Sequence, residues 1–441
     1  MPRVEYPTQE AGRCRGLPPE MVTEIATHVD NDPVPFRCLE TLKACSLVCR
    51  AFHNEFSKRV ASQIHVRDTV PEDDSDDEDE LEAPRRCLHL PTLERFKDYI
   101  EQNPHFADQV RVFKVTLHVH WQKLTAGTSF NYVLPATLDL LAQILPLLPR
   151  LQHFWLQASN SIHWDEFEPL QSTIQNFCMK TPITRLTVGS SIKDVPSFQI
   201  THNPKLMYLT LDNISIEPHL EGGIVQPQVS LVELDIDSSW IYSDLPNFYP
   251  QALADLRRFR FSSNRFNVDS VQTILSKAGP ALQEFECKGC CNTQVGADAE
   301  ELAESMGPFD FSSNTQLREI HFRYFTMHGR LTDFGPRMCT SLESLSGSTS
   351  KVERITLEFA VTNEDALVNV LDFANWTAIE RVMQTPSAFP SLRSFNIVLS
   401  GLRTFPICDK VSIPTLRTQV RRLFPQFHDS RKVAFKVRTS A

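Results

Sequence analysis

The chain has 441 residues and a formal net charge of −10, from 44 basic and 54 acidic side chains. Nine of the acids lie in one run, residues 72–82 (EDDSDDEDELE), and the rest of the chain is nearly neutral, with 44 basic and 45 acidic residues. This balance argues against general electrostatic binding of nucleic acid or of anionic membranes. The length suits a small module joined to a larger domain or to a repeat array.

Cysteine usage and the N-terminus indicate the compartment. The eleven cysteines are scattered without the dense spacing of a disulfide scaffold, and the first residues, MPRVEYPTQEAGRCRG, contain no apolar secretory stretch. The longest apolar tract, residues 133–151, contains Asp139 and three prolines, which favours a buried helix over a membrane span. We therefore predict a soluble protein of the cytoplasm, the nucleus or both.

Two apolar helical patterns lie near the N-terminus. The first, LPPEMVTEIATHV (residues 17–29), begins with prolines at the point where a helix tolerates them. The second, TLKACSLVCRAF (residues 41–52), is apolar over more than half of its circumference when it is plotted as a helix, and only Lys43, Ser46 and Arg50 form a polar wedge within it. A short helix of this kind needs cover from two directions, and a second polypeptide can provide it.

These two segments together resemble the F-box, and in particular the fungal F-box proteins with an LPPE helix followed by a CSLVCRAF-like helix. The resemblance covers residues 16–66 and implies a three-helix bundle that docks onto the Skp adaptor of cullin-based ubiquitin ligases. Two features depart from the family pattern: Phe52 stands where many members have Trp, and the loop at residues 30–40 is longer than usual. The adaptor-binding residues that the resemblance implies are Leu17, Pro18, Glu20, Ile25, Leu42, Cys45, Val48, Cys49 and Phe52.

The acidic run separates this module from the rest of the chain. It has no aromatic or β-branched residue and repels itself, so we expect residues 70–84 to form a disordered linker or loop. Ser75 is followed directly by acidic residues, as acid-directed kinases prefer, and is a possible phosphorylation site. The alternative is a solvated loop without a regulatory role.

The remainder of the chain repeats the pattern L-x-x-L-x-L nine times, with three successive intervals of 25, 25 and 26 residues. The fourth and sixth positions of each row are apolar, which is typical of a strand with one buried face, and helical patterns lie between rows. We predict an α/β solenoid of parallel strands over residues 85–441. The pattern resembles the leucine-rich repeat in an irregular form. The rows begin at Leu151, Ile183, Leu206, Leu231, Leu256, Leu282, Leu317, Val352 and Leu392.

Three groups of residues could suggest a metal site, and the pattern favours a structural interpretation of each. Cys45 and Cys49 have no further ligands nearby, and in CKGCC (residues 287–291) Cys287 falls on the apolar sixth position. His118 and His120 share one face of a predicted strand, but no third ligand is evident. A small polar residue recurs at the ninth position of the rows, where its side chain can bind backbone groups. We predict no metal and no cofactor.

The third, fifth and seventh positions of each row are predicted to point away from the solenoid core and to form the target-binding face. Their charges alternate from strand to strand, so an alternative is that they only pair with one another. The candidate target-binding residues at these positions are Trp155, Tyr208, Asp235, Arg258, Arg260, Glu284, His321 and Arg323.

The sequence contains no nucleophile elbow, phosphate-binding glycine loop or H-E-x-x-H motif, so we do not predict an enzyme. The expected function is that of a substrate-recognition subunit of a Skp/cullin/F-box ubiquitin ligase. It would bind the adaptor through the F-box and a protein target through the repeats, and it would bind neither nucleic acid nor membrane. The alternative is a leucine-rich-repeat scaffold, outside any ligase, whose N-terminal helices only cap the solenoid.

Overall fold

A computed structural model of the chain describes the repeat region and leaves its N-terminal part undescribed. The nine predicted adaptor-binding residues and Ser75 lie outside the described residues. The described residues are 62–67, 92–123, 129–133, 135–160, 162–189, 192–193, 195–196, 203, 205–212, 216–217, 229–238, 250–263, 268–291, 308–326, 334–346, 350–361, 367, 370, 376–384, 388–401, 418, 422 and 433–439.

Twelve strands within these ranges form one parallel sheet, and their order in the sheet is their order in the chain. Each strand pairs only with the strands before and after it, which is the single-file arrangement of a solenoid. The strands are β1 (Gln63–Arg67), β2 (Val112–Leu117), β3 (His153–Ala158), β4 (Arg185–Gly189), β5 (Tyr208–Asp212), β6 (Glu233–Ser238), β7 (Arg258–Ser263), β8 (Glu284–Cys291), β9 (Glu319–Thr326), β10 (Arg354–Val361), β11 (Ser394–Gly401) and β12 (Val433–Thr439).

The nine predicted rows are confirmed as strands β3–β11, and each strand begins two residues after the first residue of its row. The fourth positions lie side by side across all nine strands, from Phe154 paired with Leu186 to Ile355 paired with Phe395. The register does not slip over this span, although the loops between rows differ greatly in length. The α/β solenoid-like architecture predicted from the repeats is therefore present.

Three strands lie outside the predicted rows. β1 falls at the end of the range that resembles the F-box, so the sheet begins before the acidic run. β2 ends before His118, and His120 begins a different, short strand, so His118 and His120 do not lie on one strand as predicted. β12 pairs with β11 over seven residues at the other end of the sheet. Three small strand pairs accompany the sheet: His120–Lys123 with Ser129–Tyr132, Ile162–His163 with Ile192–Lys193, and Val195–Pro196 with Ile216–Glu217.

Helices fill connections between strands. The helical patterns between the rows lie at residues 138–148, 167–177, 268–275 and 367–374. α3, α4 and α6 lie at the first three, and residues 367 and 370 of the fourth are helical, whereas α1, α7 and α8 were not predicted. α1 begins after Thr92, whose hydroxyl accepts a hydrogen bond from the Arg95 N–H at 3.3 Å. The described helices are α1 (Leu93–Gln102), α2 (Pro104–Ala107), α3 (Pro135–Ile144), α4 (Glu168–Lys180), α5 (Pro250–Leu253), α6 (Val268–Ala278), α7 (Phe334–Leu345) and α8 (Trp376–Gln384).

The hydrophobic core lies between these helices and one face of the sheet. Aromatic rings join the two layers at both ends of the ladder: Phe113 of β2 stacks on Phe96 of α1 at 5.2 Å between centroids, and Phe359 of β10 meets Trp376 of α8 at 5.6 Å. In the middle, Phe285 of β8 is fully buried among other phenylalanines. Burial of side chains this large is the main stabilising contribution, because each removes a wide apolar area from water.

Two details of the predicted register are also confirmed. Cys287, at a sixth position, is fully buried in the core. Ser159, at a ninth position, accepts a hydrogen bond from the Val119 N–H at 3.1 Å, so its side chain does satisfy a backbone group of the preceding repeat. The side chain of Cys290, at another ninth position, lies outside the described residues.

Candidate protein-binding face

The sheet face opposite the helices carries the third, fifth and seventh positions, as predicted, and we call it the outward face. On β7, Arg258 and Arg260 are partly exposed, whereas Phe259 and Phe261 between and beside them are buried in the core. The two-residue alternation of a strand explains this separation. The chemistry of the face divides it into two regions.

The first region, the aromatic patch, lies on β2–β5 and consists of Lys114, His153, Trp155, Arg185 and Tyr208. Lys114 and Trp155 are register partners on adjacent strands, and the lysine Nζ lies 3.6 Å from the indole centroid. Arg185 and Tyr208 are also partners, with the guanidinium carbon 4.6 Å from the ring centroid. Both cations of the patch are thus placed over aromatic rings, an attraction of about 0.5–2 kcal/mol for each pair.

Burial affects the ionisable groups of the aromatic patch. It lowers the pKa of Lys114, and the negative charge of Asp212 offsets part of that effect. It also lowers the pKa of His153 to about 4, and the positive charges of Arg185 and Lys114 add to the decrease. His153 is therefore neutral at pH 7. Its Nε2 lies 3.1 Å from the hydroxyl oxygen of Thr187, and its ring stacks against Trp155.

The indole of Trp155 has a second notable feature. Its Nε1–H is buried and has no hydrogen-bond partner among the described residues. A buried donor without an acceptor costs about 1–3 kcal/mol of stability. The ring is therefore kept in place by stacking and by the lysine above it, with no contribution from a hydrogen bond of its own.

The second region, the ion-pair network, lies on β6–β10 and begins with two arginines of β7. Arg258 binds Glu284 of β8 on one side and Glu233 of β6 on the other, at 3.4 Å to the latter. Arg260 lies 3.2 Å from Glu286, 3.5 Å from Glu233 and 3.9 Å from Asp235. The opposite charges that alternate along the sequence do pair across neighbouring strands, as the alternative interpretation expected. The members of the network are Glu233, Asp235, Arg258, Arg260, Glu284, Glu286, Lys288, His321, Arg323 and Glu358.

The network continues through His321, which lies between two carboxylates. Its Nδ1 is 3.5 Å from Glu286 and its Nε2 is 3.1 Å from Glu358. Glu358 is almost completely buried and also lies 3.2 Å from the Nε of Arg323. Burial alone would raise the pKa of Glu358, but hydrogen bonds from His321 and Ser400 and the charge of Arg323 outweigh it, so the pKa lies below the usual value.

Asp235 is a carboxylate of the network at which burial outweighs the neighbouring cations. Burial raises its pKa from 3.8 to about 6, although Lys288 and Arg260 oppose the increase. Asp237 and Glu286 add a further, smaller increase. Asp235 therefore titrates close to neutral pH, in contrast to Glu358.

A cavity of about 340 Å³ opens on the outward face above the network. Four of the eight predicted target-binding residues line it: Arg258, Arg260, Glu284 and His321. Of the other four, Asp235 and Arg323 belong to the network beside it, and Trp155 and Tyr208 belong to the aromatic patch, so the structure distributes the predicted residues over two regions. The cavity is also lined by Glu286, Glu319, Arg354, Thr356, Glu358, Asn396 and the edges of neighbouring side chains.

Two important residues were missed at the sequence level. Glu358 stands at the seventh position of the row from Val352, where the rule that selected Arg323 would also have selected it. Lys114 lies on β2, whose segment Val110-x-x-Phe113-x-Val115 fits the row pattern with the same first residue as the row from Val352, so extending the rows before Leu151 would have placed Lys114 at an outward fifth position.

Within the described part of the chain, no group of three His, Cys, Asp or Glu side chains is arranged to hold a metal ion. The same part contains no helix with both the length and the apolar character needed to cross a membrane.

Comparison of the chain with known proteins identifies no family. A scan against protein-family models gives no match, and a search of curated protein sequences gives none.

Proposed function

We propose that this protein is a non-catalytic substrate receptor of a Skp/cullin/F-box ubiquitin ligase, with the adaptor bound by residues 16–66 and a target protein bound by the outward face. The observation that carries the receptor role is the outward face itself. It presents tryptophan, tyrosine and arginine side chains on strands held in fixed register, and these residue types are enriched at the energetic centres of protein interfaces. The adaptor half rests on the F-box resemblance.

In this proposal the protein binds and positions, and other subunits carry out the ubiquitin transfer. Holding a target beside the transfer machinery raises the effective concentration of its lysines, so the receptor needs no acid, base or nucleophile of its own. A rigid sheet is suited to that task because the core behind it fixes where the outward side chains lie.

Adaptor binding is tested by co-purification of a recombinant Skp adaptor with the full chain. We expect Leu42→Asp and Val48→Asp each to abolish capture, because a carboxylate would be placed on the apolar surface that the adaptor covers. Lys43→Asp is the matched control, since it introduces the same side chain on the predicted polar wedge. Failure of the wild-type chain to capture the adaptor would contradict the proposal, as would equal capture by all variants.

Target binding is tested by combining Trp155→Ala, Tyr208→Ala and Arg260→Ala. We expect the triple variant to retain its circular dichroism spectrum and its adaptor binding while losing the targets that mass spectrometry identifies with the wild type. Unchanged target recovery would show that recognition lies elsewhere in the chain.

A second candidate function is a repeat scaffold whose N-terminal residues cap the solenoid. One observation favours it: β1, at the end of the range that resembles the F-box, pairs with β2 over five residues. The described end of that range is therefore part of the sheet. Under this alternative the adaptor would not co-purify, and Leu42→Asp would lower the stability of the whole chain.

A further inference from the structure

The aromatic patch contains positive charge that no neighbouring acid neutralises at close range. The twelve third, fifth and seventh positions of strands β2–β5 include a single acid, Asp212 of β5. Lys114 and Arg185 are placed over rings, and neither forms an ion pair with a described carboxylate. A cation–π contact leaves the cation able to accept a carboxylate, since the ring occupies only one side of it.

Asp212 is the acid whose charge acts on Lys114, and its position suggests how a ligand could replace it. Its side chain lies against Gly189 of the adjacent strand, where an added Cβ would be 3.0 Å from the Asp212 Cβ and 3.3 Å from its Oδ2. Burial and the neighbouring Asp237 raise the pKa of Asp212, and Lys114 lowers it only in part. Asp212 is thus a poorly stabilised anion two strands away from Trp155.

We propose that the aromatic patch binds a carboxylate-rich segment of the target protein, with Lys114 and Arg185 as its charged contacts and Trp155 and Tyr208 as its apolar floor. This inference rests on the proposed function for the identity of the ligand as a target. Charge complementarity supports the choice: two cations and a neutral His153 face outward here, and the next strand, β6, carries Glu233, Asp235 and Asp237. Those acids would repel a polyphosphate chain that continued past the patch, whereas a short acidic peptide can end at its border.

The test measures fluorescence anisotropy of a labelled twelve-residue peptide of alternating Glu and Ser, titrated with the full chain in the absence of adaptor. We expect saturable binding that weakens as the salt concentration rises from about 50 to about 300 mM, because the Debye length shortens over this range and attraction between charges is screened more strongly. Lys114→Gln and Arg185→Gln should each weaken binding about fivefold to tenfold, and Asp212→Asn should strengthen it, because it removes a competing carboxylate. The matched control is Arg393→Gln, which removes an exposed cation just before β11 and should leave peptide binding unchanged.

Four outcomes would overturn the inference. These are absence of binding by the wild type, equal weakening by Arg393→Gln, tighter binding of a single-stranded oligonucleotide than of the peptide, and peptide binding that is seen only after deletion of residues 72–82. The last would assign the patch to the chain's own acidic run. Because no adaptor is present, a negative result here leaves the adaptor experiment unaffected, and the two proposals fail separately.

Discussion

The aromatic patch and the ion-pair network lie on the same face of the same sheet, yet they accommodate charge in opposite ways. In the patch, two cations are placed over rings and a histidine is kept neutral by burial. In the network, basic side chains alternate with carboxylates on successive strands, and Arg258 and Arg260 each contact acids on both sides. Backbone geometry is the same in both, since the register runs without a slip from β3 to β11.

The comparison shows that a regular ladder determines where side chains lie and leaves their electrostatics to the residue types. A network in which charges already satisfy one another contributes to the stability and rigidity of the face. A patch whose cations lack close anions is better suited to binding a ligand. The following predictions test this division, beginning with the largest expected effect.

Glu358 should be the most important single charge of the network for stability. Glu358→Ala removes a nearly buried carboxylate that contacts both His321 and Arg323, and we expect a loss of about 3 kcal/mol in the free energy of unfolding. Urea unfolding of the full chain measures it. The control is Glu353→Ala, which breaks the exposed pair with Arg393 and should cost about 0–1 kcal/mol. Equal losses in the two variants would show that burial of Glu358 has no special role.

His153 should make the protein less stable in acid. Its folded pKa of about 4 lies below the ordinary histidine value of 6.5, so between these values the unfolded chain binds more protons and stability falls as the pH is lowered. The loss should reach about 2–3 kcal/mol by pH 4. His153→Gln should remove this part of the pH dependence, as measured by urea unfolding at several pH values. An unchanged pH profile in the variant would contradict the assignment.

Asp235 should act in the opposite direction. Its folded pKa of about 6 lies above the ordinary aspartate value of 3.8, so the folded chain binds more protons between these values and stability falls as the pH rises through them. We expect Asp235→Asn to raise the free energy of unfolding by about 1–3 kcal/mol at pH 7 and to change it little at pH 4. A variant less stable than the wild type at pH 7 would show that the contact with Arg260 outweighs the burial of the carboxylate.

The smallest effect should distinguish the two kinds of charge contact by their response to salt. A double-mutant cycle on Lys114 and Trp155, using Lys114→Met and Trp155→Leu, should give a coupling of about 0.5–2 kcal/mol that changes little between low and high salt. A cycle on Arg258 and Glu233, with Arg258→Met and Glu233→Gln, should give about 0.2–1 kcal/mol that salt reduces. If high salt removed both coupling energies, the charge contacts of the aromatic patch and of the ion-pair network would not differ in their response to salt.

Much of the fold was predictable because L-x-x-L-x-L specifies both a strand and the direction of its side chains. The residues of rows such as those from Leu256 and Leu282 were placed correctly on the buried or the outward side. β1 was not predicted as part of the ladder because Ala61 stands where the other rows begin with a large apolar residue, and β2 was missed although Val110-x-x-Phe113-x-Val115 fits the row pattern. α7 was missed in part because FGPRMC places Gly and Pro in its first turn.

The candidate site was predictable as a face but not as two regions. Contacts between charged and aromatic side chains depend on which residues become register partners on adjacent strands. Because the loops between rows differ in length, the partners have no constant spacing in the sequence. Burial at the carboxy-terminal strands was also unpredictable from the rows alone: Glu358, Asn396 and Val398 occupy outward positions and are nevertheless buried, whereas their counterparts on β6–β8 are partly exposed. A two-residue alternation identifies the side of the sheet and carries no information about what else covers it.

Isothermal titration calorimetry, with the purified Skp adaptor titrated into the full chain, tests most directly the central proposal that this protein binds the adaptor. The account predicts saturable one-to-one binding with a negative heat-capacity change, as burial of an apolar surface requires, and no binding to Leu42→Asp. Absence of binding to the wild-type chain, or binding that Leu42→Asp leaves unchanged, would contradict it.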